Sequence, residues 1–267
     1  MDPRDARPLI AGAIEEDLTL YAVGVPAGEL PGLFGRVSEN YQALGIAILL
    51  ASGEQARYRE CLVRSAWARL HQLRCAGALQ PPARERATSF GEGLFDALAA
   101  GHWRLAHDIA EACPPGWIPE GEYEDDFCHM RLIGLYTGDS PPEPAAVQAL
   151  LARHAQVLDG ARTPRLALGQ ALFDHDADAF AAAFEDFLRE ELEARMEARE
   201  RLGEPDADAA RVWMRGYVAT EALALLRVAE TAGIAPAGPH PLCPPGSLPA
   251  GPCPNFPDPF AEIEAAR

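Results

Sequence analysis

The chain has no lysine: all 23 of its basic residues are arginine, set against 40 acidic residues, for a formal net charge of −17. Without lysine a GxxxxGK[ST] phosphate loop cannot be built. A GxGxxG turn between strand and helix and a GxSxG nucleophile elbow are also missing from the sequence. The excess of carboxylates argues against a phosphate-backbone binder and disfavours docking on an anionic membrane, since both need basic surface. A charged partner, if there is one, is therefore basic.

Long apolar runs are scarce as well. The most apolar stretch, Ala43 to Ala51, falls far short of the ~20 residues that span a bilayer. No apolar run follows the opening MDPRDARPLI, which argues against a secretory signal and for a soluble, cytoplasmic protein. The six cysteines, at positions 61, 75, 113, 128, 243 and 253, include no CxxC pair, so neither a zinc ribbon nor a thioredoxin-like site is signalled. Cys61 and Cys75 lie among Leu62, Val63 and Leu73 and read as buried thiols. Cys243 and Cys253 flank a Pro/Gly loop and would pair only in an oxidising compartment.

What is present is helical periodicity. The 267 residues are 48% hydrophobic, enough for a sizeable core, and strict apolar/polar alternation is nearly absent. From Glu54 to Ala78, the residues Tyr58, Leu62, Ala66, Leu70 and Leu73 recur at helical spacing. From Ala177 to Leu202, Phe180, Phe184, Leu188, Leu192 and Met196 make a second stripe, with Glu185–Arg189 and Glu197–Arg201 as i,i+4 pairs. From Asp206 to Ala232, Met214, Val218, Leu225 and Val228 mark a third, closed by Gly233 at a helix C-terminus. Pro81–Pro82, Pro114–Gly116, Ser140–Pro142 and Gly203–Pro205 read as breaks between helices.

Two segments, Gly93 to Ala112 and Gly169 to Phe187, share a plan of short helix, tight turn and Ala-rich second helix, with turns near Gly101–His102 and His175–Asp176. No fixed period runs through the chain, so a regular repeat array is not expected. The expectation is an all-α single domain of packed antiparallel helical hairpins. Its body would run from 1 to 233, and a Pro-rich coil from 234 to 267 would lie over it, anchored by Leu242, Leu248, Phe256 and Phe260 or disordered at its end.

The densest polar cluster is EGEYEDDFCHMR. Glu120, Glu122, Glu124, Asp125 and Asp126 precede the apolar Phe127, Met130 and Ile133. They read either as caps that complement a helix dipole or as a surface for a basic partner. Trp117 reads as a packing anchor or an interface hot spot. Asp126 and His129 share a helical face at metal-ligand spacing, but no second motif completes a ligand set. His102 and His107 are five apart and point to different faces, and the remaining histidines are isolated. No cofactor, metal or catalytic residue is expected.

The segments ALAAGHWRLAHDIA, GWIPEGEYEDDFCHMRLI and EALALLRVAETAGI followed by HPLCP resemble the immunity protein 49 family, with the similar blocks running from roughly Phe90 to Cys243. The resemblance implies an all-α immunity protein of a bacterial polymorphic toxin or type VI secretion system. Such a protein binds one cognate toxin and blocks it without catalysis. A nuclease toxin suits the acidic composition. The partner-binding residues would be Trp117, Glu120, Glu122, Glu124, Asp125 and Asp126. The alternatives are a helical scaffold that binds a peptide and a metal-dependent helical enzyme. Oligomeric state and the role of the tail are left open by the sequence.

Overall fold

A computed structural model describes residues 1–79, 82–235 and 238–265. Among these residues there are helices and no strands. Three long helices open the chain: α1 (Pro3–Val23), α2 (Leu30–Ser52) and α3 (Gln55–Leu79). A short turn, α4 (Ala83–Arg86), leads to α5 (Gly93–Ala99), α6 (Trp103–Ala112), α7 (Glu124–Leu135), α8 (Pro144–Val157) and α9 (Pro164–Asp174). Then come α10 (Ala177–Glu200), α11 (Ala207–Arg215), α12 (Thr220–Thr231) and a final α13 (Pro259–Ala265).

Local chemistry sets these boundaries. Asp2, Thr163, Asp176 and Asp206 each accept a backbone N–H with a side-chain oxygen at a helix start, which satisfies donors the helix itself leaves open. The two segments with a shared plan are helical hairpins. In the first, Gly101 turns the chain with φ +73° and His102 caps α6. In the second, His175 takes a left-handed φ of 54° and Asp176 caps α10. The breaks at Pro114–Gly116, Ser140–Pro142 and Gly203–Pro205 fall between helices as expected. Of the Pro81–Pro82 pair only Pro82 lies within the described residues, where it precedes α4.

One main core joins α1, α2, α3, α5, α6, α7, α9 to α12 and Phe260 of α13. Every member of the α3 stripe is buried: Tyr58, Leu62, Ala66, Leu70 and Leu73. Gly45 lets α2 lie on α3 at close range, since a Cβ there would stand 2.9 Å from Cys61 Cβ. Helix α12 is buried along most of its length against α5. A smaller cluster, Leu132, Val147 and Leu151, ties α7 to α8.

Three sequence expectations are corrected. The helix expected over 206–232 is two helices. Gly216 sits against the Arg199 guanidinium, and the Ala219 N–H is taken by the Leu242 carbonyl of the tail, so the chain turns between α11 and α12. In the α10 stripe Phe180, Phe184 and Leu188 are buried, whereas Leu192 and Met196 are exposed because α11 meets the second half of α10 only on the side of Arg195 and Arg199. Arg189 pairs with Asp186 rather than Glu185, while Glu197–Arg201 forms at 3.1 Å.

The Pro-rich segment lies over the body and ends in α13, so it is not coil throughout. Phe260 is fully buried among the rings of Tyr21, Phe34 and His71. Leu242, Leu248 and Phe256 pack on the same core. Arg59, itself 5% exposed, donates to the carbonyls of Ala100, Gly251 and Pro252, which fastens the tail to α5. The last residues, 266–267, lie outside the described part. Cys243 and Cys253 form no disulfide.

Candidate functional site

The 117–126 segment is drawn inward more than its sequence suggests. The Trp117 indole N–H donates to the Glu122 carbonyl at 2.9 Å, closing the loop on itself. The Glu122 carboxylate accepts the Ser89 N–H at 2.7 Å. Glu124 pairs with Arg153 at 2.6 Å, and that guanidinium also lies over the Phe127 ring. Asp126 contacts Arg165 at 3.1 Å. Of the five carboxylates only Glu120 is exposed, with Asp125 half-buried at the start of α7. Glu124, Asp125 and Asp126 occupy the first turn of α7, where they complement the helix dipole.

Asp126 leads into a polar cleft of about 380 Å³ that the sequence did not reveal. Glu39 of α2, Glu92 at the start of α5, His129 of α7, Arg165 of α9, Arg215 of α11 and Glu221 of α12 all line it. Arg165 grips Glu221 through two nitrogens, at 2.8 and 2.7 Å. Arg215 pairs with Glu92. Below the cleft Glu92 and Asp96, one turn apart on α5, meet the Gln42 amide at 2.7 and 2.8 Å, and Ser65 donates to Asp96 at 2.6 Å. Thr220 donates to Glu92 at 2.8 Å.

The electrostatics of this seam follow from pairing. Burial would raise Glu221, but the bidentate Arg165 and His129, whose Nε2 lies 3.0 Å away, outweigh it and hold the carboxyl well below the usual range. Burial is likewise outweighed at Glu92, where Arg215 and Arg195 hold the carboxyl down to about 2. Asp96 has no cation of its own. Burial first, and then the Glu92 charge, push it up to about 7. Asp126 is raised by burial that Arg165 only partly offsets.

A general acid or base works best with a pKa near the working pH and within reach of substrate. Glu92 and Glu221 are held ionised by arginine. Asp96 has the suitable pKa but is 1% exposed, beneath the cleft floor. Among the described residues no group of three or more His, Cys, Asp or Glu could hold a metal, and the Asp126–His129 pair faces Arg165 where a third ligand would be needed. The seam thus joins α2, α5, α7, α9, α11 and α12 by ion pairs.

Two carboxylates could have pointed to this seam. Asp96 stands alone in the apolar run Leu94–Ala100, and Glu221 sits just ahead of ALALL. A lone carboxylate on a buried helix needs a partner. The partners Arg165 and Arg215 are distant in sequence and gave no such sign.

The outward charge lies elsewhere. Every carboxylate between Asp174 and Asp208 is exposed except Glu191. The arginines of the same stretch are engaged: Arg189 with Asp186, Arg201 with Glu197, and Arg195 and Arg199 with backbone carbonyls of the segment 213–218. The α10 side of the molecule is therefore its strongly negative face. No helix among the described residues is long and apolar enough to cross a membrane. Comparison with protein-family models, with curated proteins and with solved structures finds no match to this chain.

Proposed function

We propose that this protein is a cytoplasmic immunity protein that binds one cognate bacterial toxin and neutralises it by occlusion. The observation that carries the reading is the negative face along α10, where surplus carboxylates point outward while the nearby arginines are tied down. The resemblance of the 90–243 blocks to the immunity protein 49 family is what suggests a toxin as the partner. A face of this kind attracts a basic partner and speeds encounter, and basic substrate clefts are what nucleases present. The pairing of Glu92 and Glu221 with arginine supports a binder rather than a catalyst. Glu120 is exposed and Asp125 half-buried, so both can meet a partner, whereas Trp117, Glu122, Glu124 and Asp126 serve the fold first.

The test is co-expression in a bacterial host with the product of the gene directly upstream. Cells that carry both genes are expected to grow where cells that carry the upstream gene alone arrest. Equal arrest in the two cultures contradicts the reading.

A further inference from the structure

The stripe Phe180–Phe184–Leu188–Leu192–Met196 begins in the core and runs out into solvent. Its first three members are at most 3% exposed, while Leu192 is 40% and Met196 53% exposed. A stripe that continues at i+4 beyond its last intramolecular neighbour is an unpartnered helix face. That face is held rigidly. On its inner side Arg195 donates to the carbonyls of Arg215 and Val218, and Arg199 donates to the Trp213 carbonyl and lies over the rings of Trp213 and Tyr217. On its outer side stand the exposed Glu193, Glu197 and Glu200.

We infer that the second half of α10 is a docking surface for a basic amphipathic segment of a partner protein. The apolar side of that segment covers Leu192 and Met196, and its Lys or Arg residues meet Glu193, Glu197 and Glu200. Charge selects this occupant. A second copy of the chain would set carboxylate against carboxylate, and an anionic membrane would meet the same repulsion. Because arginine side chains already fix the helix, binding orders little that is not ordered beforehand. The inference rests on the partner-binding reading above and names its surface.

The probe is a fluorescent Leu/Lys amphipathic peptide of about five helical turns, read by anisotropy against the full chain, with a Leu/Glu peptide as the counterpart. The Leu/Lys peptide is expected to bind, with affinity falling as salt rises, and the Leu/Glu peptide is expected not to bind. L192S/M196S weakens binding about tenfold or more. E193K/E197K/E200K weakens it too and flattens the salt dependence, whereas E15K/E16K on α1 leaves it near wild type. All these positions are exposed, so the variants keep the fold, which circular dichroism verifies. If L192S/M196S binds the peptide as wild type does, attraction is diffuse charge alone and the surface is refuted; absence of wild-type binding refutes it equally. In the co-expression assay the two readings separate. Failure of the wild type overturns the immunity reading. Protection by the wild type and equal protection by L192S/M196S overturns only the α10 surface.

Discussion

Asp96 illustrates how one buried group links this fold to pH. It is 1% exposed, is held by Gln42 and Ser65, and faces Glu92 one turn away. Burial and that neighbouring charge raise its pKa from 3.8 to about 7. A carboxyl raised in the folded state contributes stability that is full below about pH 4 and is lost as pH climbs through about 7. Asp96→Asn keeps the shape and removes the charge. Relative to wild type the variant is expected to gain on the order of 2 kcal/mol between pH 5 and pH 8, read by urea denaturation at each pH. Glu92 behaves oppositely. Its depressed value of about 2 means that its contribution persists above the ordinary carboxylate range and is lost only in strong acid.

Helix α10 tests how far an apolar stripe can be taken as core. Its two halves are chemically alike but differently covered. Leu188→Ala is expected to destabilise the protein by about 2–4 kcal/mol through lost burial and the cavity left behind. Met196→Ala is expected to stay within about 0.5 kcal/mol, as surface changes do. Thermal and denaturant unfolding of the two variants checks both numbers, and equal costs would mean that the second half of α10 is covered.

The same element shows what was legible beforehand. The period of Tyr58 to Leu73 and the Asp176 and Gly233 boundaries are local signals, and they located α3, the start of α10 and the end of α12 correctly. The division between α11 and α12 depends on Arg199 and on the Leu242 carbonyl, both contributed from outside the segment, so local periodicity could not reveal it. The acidic 120–126 cluster was visible as a cluster. Its inward use was not, because Arg153 and Arg165 arrive from α8 and α9. Buried arginines are the general blind spot. Arg59 and Arg69 look like surface residues in sequence, yet they close the structure by donating to carbonyls of the tail and of the segment after α4.

At the scale of the whole molecule, arginines are spent on holding helices together and carboxylates are left to face outward. That division turns a net charge of −17 into a directional field concentrated along α10. Two buried seams carry the internal ion pairs and the tail staples, while the negative face is free to meet a partner. On the proposed reading the chain acts by mass action, one molecule for each toxin. The most direct measurement is therefore a titration of the purified chain against the enzymatic activity of the purified upstream-gene product. Activity is expected to fall linearly and to vanish at one equivalent at low salt, with high salt restoring part of it. Silencing by a small fraction of an equivalent would mean that the chain modifies its target catalytically, and full activity at a large excess would mean that it does not bind the toxin at all; either result contradicts the account.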